Sequence, residues 1–469
     1  MRYFYLLSLI LSGLSLLAQD KSVKVIYPRT ISIKSDSFKL YYPTWKEPET
    51  FKNIDSDTLD MGNDAVKNAY YLIISGHDTV RINYSNFPFA KQIFVPMELN
   101  GRKFTHRLRV NAVTAYFSAD YITENSQKVN FDIPEVYELA NIVWTLSKRG
   151  QTANNLNKSS KYYQKVLNYF SPFLGHSVFK AIDSTKKNYF EAYYDFRENS
   201  LAFSFEGDKI IRKEPYFYIM GNDDRSFSSL FEKLIPEIED FAKTSNYRKF
   251  FADHNSYYTK SIKKQQKLMP VRKMWTWLEQ NFDNKFNAYK IVYSPLIRAT
   301  HSTQNFLTFL PFGKGYFTES VMFVCGPEIF ETLKMPNRKE RIGYASGIVF
   351  TEIDHNYVNK LSLKYQHQIK SIFSNREIWA SAGGDTERYS TALSVFNEYM
   401  THAVFCRYVR QTFDKKAALK IIDSRIDLMV NRRKYLKFRE FTDKLISLDN
   451  RKKVKELYPE ILNWASLIK

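Results

Sequence analysis

The hydrophobic period of this chain changes near Pro134, and that change governs what the chain can fold into. From residue 21 to about 130 the apolar residues come in short β-branched and aromatic runs: KVIYPRTISIK, DTVRINYS, KQIFVPMEL and RKFTHRLRVNAVTAYFSADYI. Asn, Asp, Gly and Pro punctuate them, as expected of a small antiparallel domain, a sandwich in arrangement. The next segment, PEVYELANIVWTLSKRG, places Val136, Leu139, Ile142, Val143 and Leu146 on one helical face, with Gly150 as a stop. Amphipathic helices then follow one another. Period two returns between 286 and 326, where FNAYKIVYSPL, NFLTFLPF and YFTESVMFVCG read as three strands. Helices resume with PEIFETLKM, then from about Arg338 to Leu361. A loop over 381–390 and a helix over 391–413 come next, and a basic helical stretch runs to the end. A chain of 469 residues exceeds what one core usually organises. The predicted fold class is α+β. A β-rich domain spans 19–130 and a mainly helical domain with a short sheet spans 131–413. A basic helical tail over 414–469 packs on the second domain.

Residues 1–18 read as a secretory signal. Arg2 supplies a positive start, Tyr3 to Leu17 is largely apolar, and Ala18 precedes the polar Gln19-Asp20. Leu16 at the −3 position is large for the cutting enzyme. The apolar run is short for a membrane span, and no later charge-free stretch reaches about 20 residues. The protein is therefore expected to be secreted or periplasmic and not membrane-spanning. Cys325 and Cys406, the two cysteines, both lie in apolar runs, so either two buried thiols or one disulfide is open.

The net charge is +20. Such a balance suits acidic surface polymers or nucleic acid. The clusters Lys263-Lys264, Arg432-Arg433-Lys434 and Arg451-Lys452-Lys453 are short and interleaved with apolar residues, so they read as solvated helix faces. No zinc finger, RNA-binding motif or phosphate-binding glycine loop accompanies them, which argues against a nucleic-acid role.

The chemistry-bearing constellation lies on the helix after the three strands. In FTEIDHNYVN, Glu352 and His355 form an E-x-x-H pair. In zinc peptidase helices two histidines four apart hold the metal, and the Glu beside the first is the general base. Here Thr351 stands where the first histidine would be, and a neutral hydroxyl is a poor zinc ligand. The Glu-His pair alone is a short pattern that arises by chance. Its context sharpens it: in VFNEYMTHAVF, Glu398 sits on a strongly apolar helix, where a carboxylate needs a partner or a metal. His402 follows Glu398 by one turn and shares its face.

The chain resembles a family of uncharacterised secreted bacterial proteins with a zincin-like metallopeptidase domain of the glutamate-ligand type. The family motif resembles H-E-F-S-H-S-F-V-N-P, against Thr351-Glu352-Ile353-Asp354-His355-Asn356-Tyr357-Val358-Asn359-Lys360 here. A later N-E-Y-L resembles Asn397-Glu398-Tyr399-Met400. IPEVYELANIVWTLS and YYQKVLNYFSPFLGHSVF look like the family's helical lead-in, and the resemblance covers roughly 130 to 410. It implies His355 and Glu398 as zinc ligands and Glu352 as general base. With Thr351 in place of a ligand, zinc is expected to bind weakly or not at all, and Thr351→His to restore it. The cleft is then expected to hold an extended peptide or protein segment without cutting it. An active peptidase whose rearranged site uses His355, Glu398 and His402 is the alternative. A non-enzymatic envelope or adhesion protein is a third reading. The other six histidines lie in unrelated contexts. Export implies a mature chain beginning near Gln19, which N-terminal sequencing of exported protein checks; Met1 retained in a membrane fraction would mean an anchor instead.

Overall fold

The computed structural model describes residues 115–216, 229–310, 316–331 and 335–468, apart from 116, 336, 384, 385 and 388. Within the first 114 residues it describes Gly101 and the backbone of a set of strands. The signal segment and the cut site lie outside the described residues. By its contacts the chain divides into two compact units, Met1–Thr114 and Ala115–Lys469.

The first unit holds two sheets. One orders Lys24–Val25, Asp78–Asn83, Tyr70–Ser75, Phe38–Tyr41 and Glu49–Phe51. The other orders Ile31–Ile33, Gln92–Leu99, Arg102–Arg109 and Thr58–Asp60. The hairpin of Gln92–Leu99 with Arg102–Arg109 turns at Gly101, whose φ of 77° suits a residue without a β-carbon.

Two boundaries differ from the sequence reading. The run through Ala119–Asn125 is a helix with Ser118 as N-cap, not a continuing strand. The strand Val129–Asp132, which straddles the boundary drawn above at 130, belongs as a whole to the sheet of the second unit. A four-residue strand beside a helix carries too little alternation to reveal which sheet it joins.

Apart from an antiparallel pair, Phe203–Glu206 with Lys209–Arg212, the described part of the second unit is mainly helical around one mixed sheet. Its strands are β1 (Val129–Asp132), β2 (Ala288–Ser294), β3 (Ser302–Phe309) and β4 (Tyr316–Cys325), in the order β1-β2-β4-β3. β2 pairs parallel with β1 and β4, and β3 runs antiparallel to β4, with Ser302 opposite Phe323. β2 and β4 are buried almost throughout, which explains their near-continuous apolar reading.

The helices that matter below are α1 (Glu135–Leu146), α2 (Lys161–Phe170), α3 (Tyr189–Asn199), α4 (Asn255–Leu268), α5 (Val271–Asn281), α6 (Arg338–Leu363), α7 (Ala392–Thr412), α8 (Lys415–Asp427), α9 (Phe438–Ser447) and α10 (Val454–Ala465). Gly150, read as a stop, lies inside a short helix, Lys148–Thr152, that follows the end of α1 at Leu146. α6 starts at Asn337, whose side chain accepts from Lys339 N, and buries Ala345, Val349, Phe350, Ile353, Tyr357 and Val358. α7 starts with a reciprocal cap between Thr391 and Ser394 and is buried on every side from Val395 to Val409. A helix buried all round lies at the centre of a core, and its polar residues, Glu398, His402 and Arg407 among them, must find partners there. α6 and α7 are joined by Phe350 stacked on Tyr408 at 4.8 Å, with Trp277 of α5 against both. α8 approaches α6 across two glycines. A β-carbon at Gly343 would stand 2.4 Å from Ile421 Cδ1, and one at Gly347 would stand 1.9 Å from an Arg425 guanidinium nitrogen.

The last helices share this core. Phe441 of α9 packs on Tyr399 at 5.3 Å and Tyr458 of α10 on Phe396 at 5.9 Å. Cys325 and Cys406 are separate buried thiols. No described helix is long and apolar enough to cross a membrane.

Burial also sets a pH dependence. Glu138 of α1 is fully buried, accepts from Tyr162 of α2 at 2.7 Å, and is pushed by burial up to about 8. The folded state thus keeps a proton that the unfolded chain loses near pH 4.5. Stability is expected to fall by up to about 1.4 kcal/mol per pH unit from there to about pH 8. Glu138→Gln is expected to remove that slope, read from urea unfolding at pH 5, 6.5 and 8.

Candidate functional site

The middle of α6 lies over β3 and β4. Thr303 of β3 donates to the Glu352 carbonyl at 3.1 Å, and Asn356 is bonded to Ser320 of β4 at 3.1 Å and to Asn305 of β3 at 2.8 Å. These bonds hold one face of α6 against the antiparallel edge of the sheet and aim Glu352 and His355 toward α7.

The structure brings His355, Glu398 and His402 together. His355 Nε2 lies 3.3 Å from Glu398 Oε1, and His402 Nε2 lies 3.5 Å from Glu398 Oε2. Glu398 forms the floor, 2% exposed, and the His355 side chain, 29% exposed, the opening. Asn359 and Thr401 flank His355 Nδ1 at 3.3 and 3.5 Å. Glu352 is close enough to feel both His355 and Glu398. Thr351 is buried and donates to the Gly347 carbonyl at 2.9 Å, so its hydroxyl is spent on its own helix.

Two arginines that the sequence reading did not place complete the cluster. Arg433 Nη2 pairs with Glu398 Oε2 at 2.8 Å, and its Nη1 lies 2.6 Å from His402 Nε2. Arg425 of α8 donates to His402 Nδ1 at 3.0 Å and lies over the Phe405 ring at 4.8 Å. Arg432-Arg433-Lys434 was taken above for a solvated face, and for Arg433 that is corrected: its side chain is 14% exposed. The backbone around it is specialised. Leu428–Arg432 is a π-helical turn, and Lys434 adopts a left-handed φ of 64°. The segment beyond is tied down by Ser381 N to Lys434 O, Leu436 N to Trp379 O and Lys437 N to the Tyr399 hydroxyl. Tyr389, from the loop over 381–390, accepts from Arg433 at 3.3 Å. A signal for both arginines existed. Arg425 follows the buried Ile421 by four residues and Arg433 follows the buried Met429 by four, so each continues an apolar face.

The charges of the cluster follow from these contacts. Burial disfavours the Glu398 carboxylate, but its bonds to His355 and His402 and the charge of Arg433 hold it well below the usual range. Burial likewise works against a charged His355, yet the bond to Glu398 and the two carboxylates outweigh it and bring the imidazole to about 9. Burial, with Arg425 and Arg433, pushes His402 down to about 3, so it is neutral. Burial raises Glu352 to about 7, against the pull of His355. At neutral pH, His355, Arg425 and Arg433 are cations facing Glu398 and a partly ionised Glu352.

In a zinc-peptidase centre this cluster would supply His355 and Glu398 as ligands. Three protein ligands are needed, and no three His, Cys, Asp or Glu side chains among the described residues stand where they could hold a metal. His355 would have to lose its proton first. Both His402 nitrogens face a guanidinium, which counts against the rearranged site of His355, Glu398 and His402. The site already carries net positive charge, and a divalent cation would add to it.

Of the remaining histidines, His176 caps its own helix by accepting from Val178 N. His254 bonds the Phe250 carbonyl, and the His301 ring is enclosed beside β3. The side chains of His77 and His106 lie outside the described residues.

No protein-family model, curated protein or solved structure matches the chain. The site's electrostatics make one direct prediction. His355 is expected to titrate near pH 9, followed by NMR, and Glu398→Gln is expected to bring it down by two units or more. With Glu398 neutralised, burial dominates.

Proposed function

We propose that this is an exported, metal-free protein of zincin-like design whose cleft holds an extended peptide or protein segment. One observation carries the reading: Glu352, His355 and Glu398 converge beside the edge strand β3, while Thr351 stands where a zinc peptidase has a histidine and Arg433 pairs with Glu398. β3 supports the binding half. Leu307 O accepts from Ala115 N rather than from β4, so the residues of its parity, Thr303 among them, turn their backbone groups to the outer edge. A peptide can add there as a strand, with the Glu352–His355 opening taking a side chain. The signal-like pattern of residues 1–18 supports export. The net charge of +20 supports residence near acidic surface polymers.

Labelled, denatured casein tests this by fluorescence anisotropy, with and without a chelator. Binding without cleavage is expected, and Thr303→Pro, which removes one outward N–H at an edge where proline is tolerated, is expected to weaken it about tenfold, roughly 1.4 kcal/mol. Cleavage that the chelator abolishes would instead mean a working peptidase. Absence of binding in the natural protein would count against a peptide cleft and for the adhesion reading.

A further inference from the structure

We propose that Arg433 has taken over the charge of the metal in this cleft, with Arg425 behind it, and that this guanidinium excludes zinc as firmly as the missing histidine at 351. The inference rests on the metal-free reading and goes beyond it. The missing ligand alone leaves an incomplete site, whereas a resident cation makes an occupied one.

The geometry argues for replacement rather than a chance neighbour. Glu398 of α7 faces His355 of α6, and His402, one turn along α7, reaches the other oxygen of Glu398. Arg433 contacts both, at 2.8 Å to Glu398 Oε2 and 2.6 Å to His402 Nε2. The guanidinium therefore lies on the side-chain atoms a metal between them would have to reach. A buried carboxylate needs a counter-charge. In a metalloprotein the ion supplies it, and here the arginine does.

The placement is also built into the backbone. Arg433 follows the π-helical turn Leu428–Arg432 and precedes Lys434 in the left-handed region, a conformation that disfavours an ordinary side chain. Backbone bonds to Trp379 and Ser381 fix the residues after it. On the far side of His402, Arg425 enters through the space at Gly347, where a β-carbon would stand 1.9 Å from its Nη2. Arg425 therefore donates to His402 Nδ1, while Nε2 lies against Glu398 and Arg433, and neither nitrogen is offered to the cleft.

This changes the outcome expected for Thr351→His, because that substitution alone adds a ligand and leaves the cation in place. The test compares the natural full-length protein with Thr351→His, Arg433→Gln, the double variant Thr351→His/Arg433→Gln, and Thr351→His/Arg433→Lys. Each is stripped with chelator and titrated with zinc against a chromophoric competitor, and thermal melting is recorded with and without the metal. The double variant with glutamine is expected to take one zinc per chain, at least about 100-fold more tightly than Thr351→His, since the change is to the metal's immediate surroundings. Zinc is expected to raise its melting temperature and that of no other variant. The lysine variant keeps the charge and is expected to stay metal-free.

Thr351→His binding zinc as tightly as the double variant would overturn the inference. So would tight zinc binding by the lysine variant, or a glutamine double variant that shows native circular dichroism and takes no zinc. Should the glutamine double variant not fold, Thr351→His and the lysine variant still decide the matter, because zinc on either refutes exclusion by charge. Stoichiometric zinc in the natural protein would sink the metal-free reading itself, whereas a metal-free natural protein with zinc-binding Thr351→His sinks only the role of Arg433.

Discussion

Everything at this site depends on keeping Glu398 ionised inside a helix that is buried on every side. A carboxylate at 2% exposure is costly unless its charge is met at close range. Three groups meet it: His355 from α6, His402 one turn along α7, and Arg433 from the segment after α8. These come from separate stretches of chain, so Glu398 is the point through which α6, α7 and the basic C-terminal region are electrostatically joined. The same demand explains why His355 is held protonated while His402, pressed between two arginines, is held neutral.

The sequence made the scaffold of the site readable and left its electrostatics hidden. The α+β class, the helix through Glu352 and His355, and the buried helix of Glu398 follow from period and apolar spacing, because burial repeats with the geometry of the backbone. The ligand-like residues were readable for the same reason: Glu398 stands out as a charge amid Val395, Phe396, Tyr399 and Met400. For Arg433 the sequence offers only its place four residues after the buried Met429. The arginine sits in a triplet of basic residues, and whether such a residue points to water or inward is decided by the π turn before it and the left-handed Lys434 after it. Neither leaves a mark in hydrophobic pattern. The strand Val129–Asp132 was cut by the domain boundary for a related reason, since its partner lies over 150 residues further along the chain.

Packing and charge are coupled through the contact of α6 with α8. Phe350, Tyr408 and Trp277 set the separation of α6 from α7, and Gly343 lets Ile421 come in close. Arg425 continues the stripe that begins with Ile421, so the fit that packs α8 also delivers a guanidinium to His402. An enzyme site is usually a place where packing gives way to chemistry. Here the two are carried by successive turns of one helix.

Gly347 is where this closeness has its cost. A glycine inside a helix gives up roughly 0.5–1 kcal/mol relative to alanine, because the unfolded chain has more freedom to lose there. In α6 that loss is set against room: Arg425 Nη2 lies 1.9 Å from where a β-carbon at 347 would be, so any side chain at 347 would make the end of that arginine shift away from the place it holds beside His402. A single missing methyl group on one helix thus decides how a charge on the next is aimed.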